Sequence, residues 1–524
     1  MNKPKPKLPR LIEKDYTPLV SQLMEVVAWD KERIKELEDE ILKLKGETVK
    51  PTIKPSKMEK ETAVKEAESP KGKKRSKTAE LEIDETIVVQ PEEVIPAGAV
   101  FKGYRDVIIQ DIILKKHTLC YRLAQYQQED GRYISGQLPK EQKGSHFGRN
   151  LRCFILYQYH HQHVTQPLLH QHLKDLGIDL SSGCLSQLIT QNLDVFHQEK
   201  DTLLPAGLSA SQYIHTDDTG ARHAGKNGYC THIGNEGFAW FASTESKSRI
   251  NFLTLLGTGA AHNVDINVSA LAYMARQRLP QSLREQLSDM TVECKTIAAL
   301  ETWLDSRQIT RQRYRKIIIE GALIGGLVAR GIPIDFSIIS DDAGQFAVFD
   351  HALCWIHAER IINRLIPLND CQAKAVDDVR SQIWSLYGDL KSYKLNPSLC
   401  QIDDIKQRFQ ALCTTKTCYA TLNQALKRMG KNQYELLRVL DKPYLPLHNN
   451  LSERDIREYV KKRKISGSTR SELGRRCRDT FASLKKTCLK HGISFGFYLK
   501  DRLSPEQKIP PLADFILARA TCNY

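Results

Sequence analysis

Two short apolar runs that each end in a pair of acids restrict this chain more than any other feature. They are Tyr213-Ile214-His215-Thr216-Asp217-Asp218-Thr219 and Ile334-Asp335-Phe336-Ser337-Ile338-Ile339-Ser340-Asp341-Asp342. Runs of this length and composition read as buried strands, and the second reads as a buried parallel strand. Tyr229 to Ile233 and Phe238 to Ala242 flank the turn Gly234-Asn235-Glu236-Gly237 and predict a hairpin. The tract between the two acid-ended runs is mostly helical in pattern. A sheet-bearing α/β fold follows.

A third acid stands in a different setting. Leu447-His448-Asn449-Asn450-Leu451-Ser452-Glu453-Arg454 opens a helix, with Asn449 and Asn450 as cap residues and Glu453 in the first turn. From Glu453 to Arg478 there are ten Lys/Arg against four Asp/Glu. Taken alone, that stretch fits a capped, solvated helix with ordinary ion pairs better than a metal site. Two strand-end acids and a helix-borne acid are also the set that two-metal phosphoryl transfer needs. Hard cations take carboxylate oxygens, and a metal pair clamps the attacking and leaving oxygens of an in-line displacement. Only a fold can unite acids spaced 341 − 217 = 124 and 453 − 341 = 112 residues apart.

The rest of the chain sets the context. At 524 residues there is room for two to four domains. The formal net charge of +15 favours an anionic polymer partner, nucleic acid being the commonest. Mean hydropathy of −0.42 suits a soluble globular protein. No apolar run approaches the roughly 18–20 residues of a membrane helix. The Lys- and Pro-rich start has no apolar segment behind it and is not expected to be a secretory signal. Thirteen cysteines without a C-x-x-C pair are read as reduced cytosolic thiols, neither a disulfide framework nor a zinc site.

Leu23, Val27, Asp30, Ile34, Leu37, Ile41 and Leu44 form a heptad seam, which predicts an N-terminal helix or coiled coil over 1–46 and self-association through it. The same spacing fits a helix packed on its own domain. Residues 47–100 read as a disordered charged linker. Within it, Lys71 to Lys77 carries five basic residues in seven, a phosphate grip or a solvated tether. A small β element is expected over 101–147. Residues 148–205 read as helical, with a helix ending at Gly177, a capped turn, and a second helix from Gly183. That is the outline of a DNA-binding helix-turn-helix, and of many other helical hairpins. The neighbouring His160, His161 and His163 lack a carboxylate or thiol to complete a metal site. Residues 206–365 and 445–503 are taken as two parts of one core. An all-helical insertion over 366–444 separates them, and a tail runs from 504 to 524.

The words His215-Thr216-Asp217-Asp218-Thr219-Gly220, Ser340-Asp341-Asp342-Ala343, Cys354-Trp355-Ile356-His357 and His448-Asn449-Asn450-Leu451-Ser452-Glu453-Arg454 come in a familiar order. In that order they resemble transposases of the insertion-sequence-66 class, over roughly residues 100–503. The resemblance implies a ribonuclease-H-like mixed-sheet core with a DDE triad at Asp217, Asp341 and Glu453. Asp218 and Asp342 are the immediate rivals. It implies Mg²⁺ as cofactor, with Mn²⁺ as a substitute, and double-stranded DNA as partner, both element ends and target. Cleavage would free a 3′-hydroxyl that joins target DNA. Lys461, Lys462, Arg463, Lys464, Arg475 and Arg476 would contact phosphates, with Arg470 beside them, and their alternative is a solvated basic face. His357 is a candidate support for the site or a helix-packing residue. The class also implies helper proteins of the same element and a place on the nucleoid of the bacterial cytoplasm. Two departures stand out: the zinc-finger-like cysteine set of many members is absent, and the gap between the aspartates is long. The rival readings are a catalytically inactive DNA-binding repressor, a nuclease on the same fold without strand transfer, and a coiled-coil scaffold.

Overall fold

The computed structural model describes residues 82–522, apart from 92, 94, 96–97, 140–145, 259–262 and 290–294. The expected coiled coil and most of the charged linker, with its Lys71–Lys77 run, lie outside the described residues. Residues 101–124 carry no regular structure. Val107, Ile109, Ile112 and Ile113 there are largely exposed. The β element expected from residue 101 is confined to β1 (Gln125–Gln127) and β2 (Tyr133–Ser135), an antiparallel pair. Gly131, at φ +82°, supplies the turn between them.

A helical unit follows: α1 (Arg149–Leu156), a π-helical turn Tyr157–His161, α2 (Gln166–Asp175) and α3 (Ser182–Thr190). Pro167 sits in the first turn of α2, where no backbone donor is needed. Gly177, at φ +71°, closes α2 from the left-handed region. Ser181 Oγ accepts from Cys184 N at 3.1 Å and caps α3. Ile155, Leu169, Leu173, Leu185 and Ile189 bury a small core of their own.

Then α4 (Asp194–Ser209) leads into β3 (Tyr213–Gly220), β4 (Tyr229–Gly234) and β5 (Ala239–Thr244). Five helices intervene: α5 (Arg249–Leu256), α6 (Val268–Arg276), α7 (Gln281–Ser288), α8 (Ile297–Ser306) and α9 (Gln312–Ala329). After them come β6 (Ser337–Ser340), β7 (Asp350–Leu353) and α10 (Trp355–Asn363). The sheet runs β5-β4-β3-β6-β7. β3, β4 and β5 form an antiparallel meander, while β6 and β7 run parallel to β3.

The long gap between the aspartates is filled by helices that share the main core. Buried residues run without a break from Ile317 to Leu327 of α9, as in a helix enclosed on all sides. Glycines let the neighbouring backbone in: a Cβ on Gly326 would lie 2.1 Å from the Asn263 carbonyl oxygen. Gly326→Ala is therefore expected to lower stability by about 1–3 kcal/mol, as other overpacked cores do, read from the urea midpoint.

The insertion is helical as expected: α11 (Asp370–Leu395), α12 (Leu399–Thr414), α13 (Ala420–Lys431), α14 (Gln433–Leu436) and a 3₁₀ turn Arg438–Leu440. It has a separate core, into which Trp355 of α10 is set against Phe409. Cys371 and Cys418 are joined in a disulfide, which corrects the reading of every cysteine as a free thiol. They are 47 residues apart in sequence, and only the folding of α11 against the α13 region brings their Cα atoms to 6.8 Å. The chain re-enters the core at α15 (Asn450–Ser466) and continues through α16 (Glu472–Lys490), α17 (Phe495–Arg502) and α18 (Leu512–Cys522). Among the described residues, no helix is long and apolar enough to cross a membrane.

Candidate active site

Strand alternation separates Asp217 from Asp218. Ile214 belongs to the main core, whereas His215, one residue on, meets Asn449 at the head of α15. Asp217 shares the parity of His215 and so faces α15, and Asp218 faces away. Asp218 is occupied there by Thr231 Oγ1 and by Gln345 Nε2 at 2.9 Å. The other rival, Asp342, is bound by Arg428 of the insertion, whose Nε donates at 2.9 Å. Asp341 follows the last residue of β6, and its Oδ1 accepts from Ala343 N at 3.1 Å.

The head of α15 is tied to β3 by its own side chain. Asn449 stands at the N-cap position, yet makes no capping hydrogen bond. Instead its Nδ2 donates to the Thr216 carbonyl at 2.8 Å, and its Oδ1 is 2.9 Å from His215 Nδ1. An amide oxygen only accepts, so His215 carries its proton on Nδ1. Burial pushes His215 down to about 4, which keeps the ring neutral. Asn449 is fully buried, and its backbone N–H donates to Cys354 Sγ at 3.2 Å. Trp355 N donates to the Leu447 carbonyl at 3.0 Å, and Trp355 Nε1 to the Leu436 carbonyl at 2.7 Å. The Cys-Trp and Asn-Asn words are thus two sides of one junction, and the tether places Glu453 over the end of β3.

The three acids sense one another. Burial pushes Asp217 up to about 7, against a hydrogen bond from Asp218 N, and the charges of Asp341, Asp218 and Glu453 push the same way. Glu453 Oε1 accepts from Arg360 Nη1 at 2.9 Å and lies 3.4 Å from His357 Nε2. His357 is held below its usual value by burial, opposed by Glu453. Beside Asp341 opens a cavity of about 390 Å³, lined also by His357, Arg360, Arg364 and Arg428. Anionic ligands and cationic walls therefore stand next to each other.

These carboxylates are the oxygen donors a hard divalent cation takes, and the raised pKa of Asp217 is relieved by such an ion. Among the described residues, no three His, Cys, Asp or Glu side chains already stand close enough to hold one ion. The donor set fits Mg²⁺ in chemistry, and Glu453 is the member engaged by a cation, Arg360. Arg360 was not singled out in the sequence, although it lies one turn beyond His357 on the same helix face.

The basic residues after Glu453 divide by environment. Lys464 and Arg476 are exposed. Lys461 pairs with Glu458 at 2.9 Å and Arg475 with Glu472 at 2.8 Å. Arg463 Nη1 donates to Thr219 Oγ1 at 3.2 Å and also meets the Gly220 carbonyl, fixing α15 to the end of β3. Lys462 is buried, on the opposite side of α15 from Glu453.

Residues 144–258 and 343–476 match the profile described as "Transposase IS66 family". The matched segments contain Asp217 and Glu453; Asp341 stands just before the second, and the interval between them holds α6 to α9. The chain is 41% identical over 324 residues to "Uncharacterized protein y4jO" of Sinorhizobium fredii (strain NBRC 101917 / NGR234). That alignment covers 61% of this chain and all of that protein. The chain belongs to the IS66 family of transposases.

Proposed function

We propose that this protein cuts DNA at the ends of an insertion sequence and joins the freed 3′-hydroxyl to target DNA. Asp217, Asp341 and Glu453 would hold Mg²⁺, which supplies an activated water and neutralises charge on the phosphoryl oxygens. The observation that carries this reading is that Asp341 after β6 and Glu453 on α15, each more than a hundred residues from Asp217 in sequence or from the other, lie near enough for their charges to raise Asp217 on β3. The sheet order, an antiparallel three-strand meander extended by two parallel strands, supports a ribonuclease-H-like core.

The chain's own groups account for the remaining chemistry. In cleavage, water adds to a phosphorus at the element end and the 3′-oxygen leaves as the hydroxyl. In joining, that hydroxyl adds to a target phosphorus and displaces the target's own 3′-oxygen. No covalent bond to the protein forms. Arg360, Arg364 and Arg428 line the space beside Asp341, where they would neutralise the phosphate that must approach three acids. His357 orients Glu453. The α2–α3 pair, with Gly183 and Gln187 exposed on α3, is the candidate reader of the element end.

The test incubates the full-length protein with plasmid carrying its element ends. Strand breaks and joined products are expected with Mg²⁺ or Mn²⁺ and none with chelator. Breaks without joining would assign a nuclease instead. Binding without either would assign a repressor.

A further inference from the structure

A second, larger cavity lies away from the acids. It encloses about 830 Å³ between the π-helical turn, α2, α3, α15 and α16. Nine residues separate Glu453 from Lys462 on α15, and at about 100° per residue they project from opposite sides of the helix. Lys462 lines this cavity and Glu453 does not.

The lining has a charge excess that the described residues cancel only in part. It contains five cations, Lys462, Arg470, Arg478, Lys485 and Lys486, and one carboxylate, Glu458. Glu458 is committed to Lys485 at 3.2 Å and Lys461 at 2.9 Å, and Lys486 reaches Asp455 at 3.6 Å. Lys462 and Arg478 are only 6% and 9% exposed. Among the described residues, neither pairs with a carboxylate. Lys462 Nζ donates to the Tyr159 carbonyl at 2.6 Å, and Arg478 Nη1 to the Gly467 carbonyl at 3.0 Å. Buried cations left without an anion are costly. Burial, with Arg478 and Lys485 nearby, holds Lys462 down to about 7. His160, 8% exposed, lines the same space with its Nε2 unbonded. Tyr159 adds aromatic surface, with Lys462 Nζ 3.6 Å over its ring, while Phe481 is buried behind the wall and stacked on His160.

We propose that this cavity seats nucleotides of a single DNA strand, with phosphates on Lys462 and Arg478 and a base against Tyr159. The enclosed volume suits one or two nucleotides and not the width of a duplex. Cation-lined grooves with aromatic platforms are how proteins hold single strands. The proposal rests on the reading of the chain as DNA-acting and adds a strand site distinct from the acids.

The experiment measures binding of fluorescein-labelled dT12 by anisotropy across a salt series, with full-length wild type, Lys462→Met/Arg478→Gln, and Ser186→Trp. Ser186 lines the cavity, and the tryptophan fills it without removing charge. Losing two phosphate contacts is expected to flatten the plot of log K against log salt by about 1.4, at ~0.7 per contact. Both variants should show it, with thermal melts like wild type. Unchanged slopes in both variants overturn the cavity proposal and leave the cleavage reading standing. Failure of wild type to bind dT12 while it still cuts duplex DNA also overturns the cavity alone. Failure to bind any DNA overturns both.

Discussion

Asp217→Asn is expected to lower DNA strand cleavage by at least about 10³-fold, the upper range for removal of one preorganised electrostatic group. The amide keeps the shape of the side chain and one oxygen, but not the charge that a divalent ion needs. Loss of folding is not expected to explain the effect, because the substitution should stabilise the metal-free protein. A carboxyl in the unfolded chain ionises near 3.9. In the folded protein Asp217 keeps its proton up to about 7. Between these values the folded state binds more protons, so stability falls as pH rises through the window and is lowest above about 7. The amide carries no such penalty. The melting temperature of Asp217→Asn should therefore exceed that of wild type most at pH 8, and the margin should shrink as pH falls toward 4. An inactive variant that melts below wild type at pH 8 would contradict this account of the site.

Asn449→Ala is expected to cost roughly 2–5 kcal/mol and to remove cleavage. Truncation strands two buried groups, the Thr216 carbonyl and the His215 Nδ1–H, each worth about 1–3 kcal/mol when left unpaired. It also cuts the side-chain tether between β3 and α15. Urea unfolding measures the first effect. The second is separable: cleavage should stay low at saturating Mg²⁺ under conditions where the variant is fully folded, because Glu453 is no longer held over Asp217. Full activity in the folded variant would mean that α15 is positioned by other contacts, such as Arg463 on Gly220.

These two residues mark what a single sequence discloses. The strand that carries Asp217 was legible because an apolar run ending in acids needs only the period-two rule, and β3, β4, β5 and β6 all fall where their runs predict. The helix that carries Glu453 was legible because helix starts have local chemistry. β7 was not, since Asp350-His351-Ala352-Leu353 is four residues long and half polar, with Asp350 satisfied by Arg438 and Lys442 of the insertion. Asn449 read as a cap. Its preference for His215 and Thr216 depends on where a strand 233 residues earlier is placed. Lys462 read as one of four consecutive basic residues. A helix turns 100° per step, so such a run must point in every direction, and which member is buried is decided by what packs alongside. The Cys371–Cys418 pair was hidden for the same reason.

The junction between Cys354-Trp355 and Leu447-Asn449 has a further consequence. The chain leaves the core at α10 and returns at α15 through a junction, closed by Trp355 N donating to the Leu447 carbonyl and Asn449 N to Cys354 Sγ. Closing a loop of this kind depends only weakly on how many residues hang from it. The register between the His357 helix and the Glu453 helix is thus set at this junction, at a closure cost that hardly depends on the length of chain hung between its two sides.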